Sequence, residues 1–364
     1  MAGLAEKTRW ARRMLHLGGA LLPEQVTLLV TRRCNLRCGH CFYWRELNGA
    51  GEEFTLAELA RLAPTMGRFS FLSLGGGEPF LRGDLPEIAE TLVRVNGVSR
   101  ISIPTNGYLP ARITGLARKL LAKTPDCKVV IKVSLDGLGE AHDALRGRAG
   151  SFDRAIETLA ALKELKKTHA QLRVGVLMTL SKANEERLSE TYDHVRRELA
   201  PDVVGLNFIR GGVKDPALKG ADVDIYRRLY DRILEDQLAE GGGSFYAAYK
   251  SEVAGHIEKI LRTGRYPMEC RAGRLSAVID SFLNVFPCEG LDAKMGNLRE
   301  QGWDFRRLWS SAASRRVRDR IAADCCCTCE CNLQLNTFFS AGLLLPLLAQ
   351  AGVRKAGALC GVKS

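Results

Sequence analysis

Cys34, Cys38 and Cys41 stand in the run Cys34-Asn35-Leu36-Arg37-Cys38-Gly39-His40-Cys41-Phe42, directly after the strand-like stretch Val26-Thr27-Leu28-Leu29-Val30-Thr31. The spacing is C-x3-C-x2-C. Three thiolates on one tight loop can hold three irons of a [4Fe–4S] cube and leave the fourth iron without a protein ligand, an arrangement that a closed four-cysteine site forbids. A competing reading is a structural zinc site completed by His40, although closed zinc sites are usually built from paired C-x2-C knuckles.

From Val26 onward, short apolar runs alternate with helical periodicities, which predicts βα units and a parallel sheet. The expected strands lie near 26–31, 69–75, 100–104, 129–134, 172–180 and 203–209. Expected helices are Thr55–Met66, Asp84–Val95, Ala111–Lys123, Phe152–Thr168 and Glu185–Leu199, with Thr55 and Glu58 spaced as a capping box. Gly75-Gly76-Gly77-Glu78-Pro79 ends the second apolar run and Thr105-Asn106-Gly107 the third. Ser134-Leu135-Asp136-Gly137 ends the fourth, followed by His142-Asp143, Arg146-Gly147 and Ser151-Phe152. Taken singly, the Gly-Pro stretch also reads as an ordinary turn and Asp136 as a helix cap.

Taken together and in this order, these segments resemble the radical S-adenosylmethionine (SAM) superfamily, and in particular its members with a C-terminal SPASM or twitch extension. The resemblance implies a partial (β/α)6 TIM-like barrel, whose sites lie at the C-terminal ends of the strands, and a small Cys-rich C-terminal domain. Its implied cofactors are SAM and a [4Fe–4S] cluster on Cys34, Cys38 and Cys41. It also implies that the backbone of Gly75, Gly76 and Gly77 with Glu78 contacts the SAM amino group, that Thr105, Asn106, Ser134 and Asp136 hold its carboxylate or ribose, and that Phe42 lies near adenine. Reductive cleavage of SAM to a 5′-deoxyadenosyl radical and hydrogen abstraction from substrate follow from the same resemblance.

Beyond about Gly211 the βα rhythm stops, and Asp222–Glu240 and Phe245–Thr263 read as helices around Gly241-Gly242-Gly243. Cys270 and Cys288 bracket a hairpin-like stretch, followed by the knot Cys325-Cys326-Cys327-Thr328-Cys329-Glu330-Cys331. This layout resembles a twitch domain, which implies one auxiliary [4Fe–4S] cluster. Cys326 and Cys329 form the only C-x2-C pair of the knot, so the expected ligands are Cys270, Cys288, Cys326 and Cys329, with Cys325, Cys327 and Cys331 as rivals for the last two. Where the family usually has glycine five residues before the second hairpin cysteine this chain has Leu283, beside Asn284, which is able to take the left-handed turn. The expected segments are 1–24 (basic amphipathic helix), 25–215 (barrel), 216–264 (helical bridge), 265–335 (auxiliary domain) and 336–364 (apolar tail).

The 364 residues suffice for one large domain and an appendage, and 46% hydrophobic residues suffice for a core. The 12 cysteines cluster at ligand spacings with no secretory apolar segment before them, which points to a reducing cytoplasm rather than a disulfide scaffold. A net charge of +12 suits a phosphate-bearing substrate, an acidic donor of the flavodoxin or ferredoxin type, or an anionic membrane surface. No helix-turn-helix, zinc-finger or RNA-binding aromatic signature accompanies that charge, so no nucleic acid partner is expected. Trp10, Met14, Leu17 and Leu21 form an apolar helix face with basic neighbours, and residues 332–353 are uncharged; both suit packing against the protein or peripheral membrane contact. The short segment before Val26 weighs toward a small or lipid-linked substrate over a peptide, the alternative. The net reaction is not written in these motifs, and a non-catalytic Fe–S or zinc protein is the remaining alternative.

Overall fold

A computed structural model describes residues 4–14, 22–240, 244–340 and 342–343. In chain order its helices are α1 (Leu4–Met14), α2 (Leu56–Met66), α3 (Leu85–Asn96), α4 (Pro110–Lys123), α5 (Gly139–Arg146), α6 (Ser151–Lys166), α7 (Leu188–His194), α8 (Val223–Ala239), α9 (Ser244–Thr263), α10 (Phe305–Trp309), α11 (Ala312–Asp324) and α12 (Glu330–Phe338). The strands are β1 (Gln25–Thr31), β2 (Phe71–Gly76), β3 (Arg100–Thr105), β4 (Lys128–Ser134), β5 (Leu172–Leu180), β6 (Val203–Phe208), β7 (Ser276–Ile279), β8 (Asn284–Phe286) and β9 (Gly296–Asn297). The chain divides into two compact units, one of residues 22–221 and 273–319, the other of 1–21, 222–272 and 320–364.

The first unit holds all nine strands in the order β6-β5-β4-β3-β2-β1-β7-β8-β9. Strands β1 to β6 are parallel and sequential neighbours, the winding of a βα barrel. Their alternate residues Val26, Leu28, Leu72, Leu74, Ile101, Ile103, Ile131, Val133, Val174 and Val176 are buried, and the β-branched majority suits strands covered by helices. The predicted capping box forms: the Glu58 amide donates to Thr55 Oγ1 at 3.2 Å and the Thr55 amide to Glu58 Oε2 at 2.7 Å. Where sequence periodicity suggested one helix over Glu185–Leu199, the structure has turns up to Arg187, α7, and a π-helical turn Val195–Leu199. Asn184 explains the delay, since its amide donates to the Asp136 and Thr179 carbonyls and holds the chain out of helical geometry.

The hairpin corrects the expected count of six strands. β7 pairs in parallel with β1, with Gln25 opposite Ser276 and Leu28 opposite Ile279, so the hairpin extends the barrel sheet. Its turn is made by Leu283 itself at φ 65°, not by Asn284. Asp280 holds that geometry by accepting from the amides of Phe282 (2.9 Å) and Asn284 (2.8 Å). A left-handed leucine costs about 1–2 kcal/mol, whereas emptying a fully buried leucine site costs about 2–5 kcal/mol. Leu283 is fully buried, so Leu283→Gly is expected to destabilise the protein by about 1–3 kcal/mol despite relieving the turn. A higher denaturation midpoint for the variant would show that strain outweighs packing there.

The second unit is helical. Trp10 of α1 lies edge-on to Phe338 (5.3 Å between centroids) and Phe339 (6.5 Å), so its ring packs within the unit. The side chain of Met14, with Leu17, Leu21 and the tail from 344 onward, lies outside the described residues. Lys250 is half-buried and pairs with Glu330, which also accepts from Tyr230. Among the described residues no helix is long and apolar enough to cross a membrane.

Candidate active site

The cysteine loop leaves the C-terminal end of β1 and is docked on three sides, two by backbone and one by a side chain. Gly77 donates to the Thr31 carbonyl and Glu78 to the Arg33 carbonyl, both at 2.8 Å, which lays the triple-glycine turn against the start of the loop. A Cβ at Gly76 would stand 2.3 Å from the Thr31 oxygen, and one at Gly77 would stand 2.2 Å from the Arg33 oxygen, so neither position tolerates a side chain. On another side, the carbonyls at the end of α5, which have no partner within a helix, accept from the loop: Leu145 from Gly39 at 3.0 Å and Arg146 from Arg37 at 3.3 Å. Asn48 closes the third side, its side chain bonding both the amide (3.0 Å) and the carbonyl (3.1 Å) of Cys34.

The motif after β4 is the support for this docking. Asp143 accepts from the amides of Gly150 (2.6 Å) and Phe152 (2.8 Å) and from Ser151 Oγ (2.8 Å), capping α6 from outside. His142 Nδ1 accepts from the Asp136 amide at 3.1 Å. Arg146, 7% exposed, aims Nη2 at Asp136 Oδ2 (2.5 Å) and Nη1 at Cys38 Sγ (3.8 Å).

Several residues expected to touch SAM have their side chains engaged elsewhere. Glu78 is buried and accepts from Phe80 (3.2 Å), Asn106 (2.8 Å) and Thr105 Oγ1 (2.9 Å), which ties the ends of β2 and β3 together. Asn106 Nδ2 donates to Asn35 Oδ1 at 2.8 Å, linking the third strand end to the cysteine loop. Asp136 is fully buried on Arg146, with Oδ1 accepting from the Thr179 amide at 2.7 Å. Gly75 and Ser134 lie at the ends of β2 and β4. Phe42 is 38% exposed, with the Arg210 guanidinium 5.2 Å from its ring. Sequence reasoning named Arg146 only as part of a motif and missed Asn35, Asn48 and Asn184. Asn48 stands at φ 57°, in the left-handed region that asparagine tolerates.

Electrostatics follow burial. It pushes the thiols of Cys34 up to about 12 and Cys41 up to about 11, so metal loading must release protons. Burial also lifts the Glu78 carboxyl to about 7, against the donors that favour its charge. His40 is driven by burial down to about 4, outweighing Asp136, whose Oδ2 lies 3.4 Å from Nε2. Burial works against the Asp136 charge, but Arg146 and His40 overcome it and hold the carboxyl below its ordinary range. The donor set fits an open cluster: three partly exposed free thiols on one loop, a fixed cation at one of them, and buried nitrogens, Asn35 Nδ2 and Arg146 Nε, without hydrogen-bond partners.

The second unit brings together a different thiol set from the one expected. Cys325 Sγ lies 3.9 Å from Cys327 Sγ, and Cys270 hydrogen-bonds Cys325, whereas Cys326, expected as a ligand, is exposed. Cys329 is buried in this unit, and Cys288 is buried just after β8 of the other.

A sequential parallel barrel whose first strand ends in a three-thiol loop defines an α/β enzyme built around an iron–sulfur cluster with an open iron. Residues 28–195 match the Radical SAM superfamily, and the chain is a radical SAM enzyme that uses SAM and a [4Fe–4S] cluster. It is 28% identical over 313 residues to an AdoMet-dependent heme synthase of Methanosarcina barkeri, covering 82% of this chain and 85% of that protein. It is 29% identical over 328 residues to the mycofactocin maturase MftC of Mycolicibacterium smegmatis, covering 84% and 75%. Among solved structures, native anSMEcpe with bound AdoMet and Cp18Cys peptide shares the fold at a TM-score of 0.59 and 18% identity, over 91% of this chain and 99% of that one.

Proposed function

We propose that this enzyme abstracts a hydrogen atom from a carboxylate-bearing tetrapyrrole of the heme type, using the cluster on Cys34, Cys38 and Cys41. The observation that carries the substrate class is the ring of cations around the cysteine loop. Arg33, Arg37, Arg148 and Lys214 are exposed there, with Arg148 donating to the Asn35 carbonyl at 2.7 Å and Lys214 to the Arg37 carbonyl at 3.3 Å. Guanidinium groups suit carboxylates because their paired N–H groups match the two oxygens. Similarity to a heme synthase over most of both chains supports the same class.

When bound, the cluster supplies the electron that cleaves SAM to the 5′-deoxyadenosyl radical. The chain's own part is to hold the cysteine loop through Gly77, Asn48 and the end of α5, and to keep Glu78 buried where it joins two strand ends. The cationic rim orients an anionic substrate over the loop. Cys270, Cys325, Cys327 and Cys329 are the thiols of the helical unit that would hold an auxiliary [4Fe–4S] cluster. A flavodoxin- or ferredoxin-type donor and a cytoplasmic setting belong to this reading, since a low-potential cluster needs both. Membrane contact does not, because Trp10 of the basic helix packs on Phe338 and Phe339.

The test is SAM cleavage under anaerobic reduction with and without candidate substrates. An iron porphyrin bearing carboxylate side chains should raise 5′-deoxyadenosine several-fold over the rate without substrate. No rise with any such porphyrin would overturn the substrate class. Stimulation by a precursor peptide would move the enzyme to the second reading, a peptide maturase, which the likeness to a mycofactocin maturase favours.

A further inference from the structure

The geometry points to Arg146 as the residue that sets the reduction potential of the SAM-cleaving cluster, with Asp136 as the positioning residue that aims it at Cys38. The inference rests on the assignment of that cluster to Cys34, Cys38 and Cys41. Arg146 is 7% exposed and Asp136 not exposed at all, so the pair is removed from water. One guanidinium nitrogen, Nη2, is 2.5 Å from Asp136 Oδ2 and the other, Nη1, is 3.8 Å from Cys38 Sγ, so the cationic end stands between the carboxylate and the sulfur.

Asp136 is immobilised from three directions. The Thr179 amide donates to its carboxylate at 2.7 Å, Asn184 Nδ2 donates to its carbonyl at 2.9 Å, and its own amide donates to His142 Nδ1 at 3.1 Å. The side chain of Arg146 is not what docks the cysteine loop, because the carbonyls of Leu145 and Arg146 do that. Gly147, at φ 65°, permits their approach, since a Cβ there would stand 2.7 Å from the Arg37 oxygen. A buried ion pair contributes little net stability, since removing both charges from water costs about what their attraction returns. What the pair does provide is a fixed positive charge and an N–H directed at one ligand sulfur.

A cluster gains one negative charge on reduction, and both a nearby cation and a hydrogen bond to a ligand sulfur favour the more negative state. Arg146 therefore raises the potential into the range a cellular donor can reach. Asp136, behind it, opposes this through its own charge while keeping the guanidinium in place. Asp136→Asn keeps an oxygen facing the guanidinium and removes only the opposing charge, so it and Arg146→Gln predict shifts of opposite sign, whereas a shared structural role predicts the same loss from either change.

The experiment is an EPR-monitored redox titration of the anaerobically reconstituted full chain, following the signal that disappears in Cys38→Ala. Arg146→Gln should lower the reduced-to-oxidised ratio about tenfold at the parent midpoint, a shift of about 59 mV to more negative potential for one electron. Arg146→Lys should recover part of that shift, and Asp136→Asn should move the potential the other way. Unchanged potentials, or shifts of the same sign in Arg146→Gln and Asp136→Asn, overturn the assignment. If Arg146→Gln holds no iron, Arg146→Lys must still lie below the parent and Asp136→Asn above it, and any other order overturns it too. A parent protein without a Cys38-dependent signal would instead overturn the cluster assignment on which the inference rests.

Discussion

Cys38→Ala is expected to reduce SAM-derived 5′-deoxyadenosine to background, and the triple variant of Cys34, Cys38 and Cys41 to do no worse, because residues that act as a unit lose their effect together. The three thiols sit on one loop and Cys38 is the one that meets the Arg146 guanidinium, so no neighbouring cysteine can take its place without moving the docked backbone. In the triple variant about half the iron should remain, since the second thiol set, Cys270 with Cys325 and Cys327, lies in the other unit. Cys127→Ala is the control: that thiol is buried, its sulfur contacts the Lys128 carbonyl at 3.9 Å, and its loss should leave both iron and cleavage unchanged. Product from Cys38→Ala near the parent level would remove the cluster from the mechanism. Complete loss of iron in the triple variant would leave one cluster rather than two.

Gly77→Ala is expected to be nearly as damaging, although it removes no ligand. The new methyl would overlap the Arg33 carbonyl at 2.2 Å, and relief requires either the triple-glycine turn or the residues leading into Cys34 to shift. Forced overlap in a packed site costs about 1–3 kcal/mol, and here the displacement falls on the Gly77 and Glu78 amides, which hold the loop. We expect the protein to fold, to retain less than about half of the Cys34/Cys38/Cys41 iron, and to cleave SAM on the order of 10²-fold more slowly, the scale at which misplacement by about 1 Å acts. Gly75→Ala should be close to neutral, because its Cβ would make an ordinary 3.5 Å contact with the Leu29 side chain. Equal effects of the two changes would show that the turn matters through glycine content rather than close approach.

The contrast between these glycines shows how much of the site could be read from the chain. The run Gly75-Gly76-Gly77 is visible in the sequence as a turn at a strand end, yet nothing in its spelling tells which glycine touches another segment. That depends on how β2 is placed beside β1, a pairing between residues more than 40 positions apart. The same holds for Asp136 and Arg146. Their motif is legible, but the sequence suggested that Asp136 faces SAM, and the fold turns it onto the guanidinium because a carboxylate so completely buried needs a partner. The short α5 went unassigned because Gly137 and Gly139 obscure its periodicity, although its C-terminal carbonyls dock the cysteine loop.

The sequence by itself determined the elements and their order: six parallel strands found within about two residues of their predicted places, the capping box on α2, and a three-thiol loop at the end of the first strand. Apolar periodicity and ligand spacing are local properties, and local properties survive in one dimension. Only the tertiary structure decided that β7 joins β1 in the barrel sheet, that Leu283 takes the left-handed turn, that Cys325 and Cys327 rather than Cys326 face Cys270, and that Arg146 reaches Cys38 across 108 positions of chain. Each of these depends on which distant surfaces are buried against each other, and burial is settled by the competition among all segments for the same core, not by the residues of any one of them.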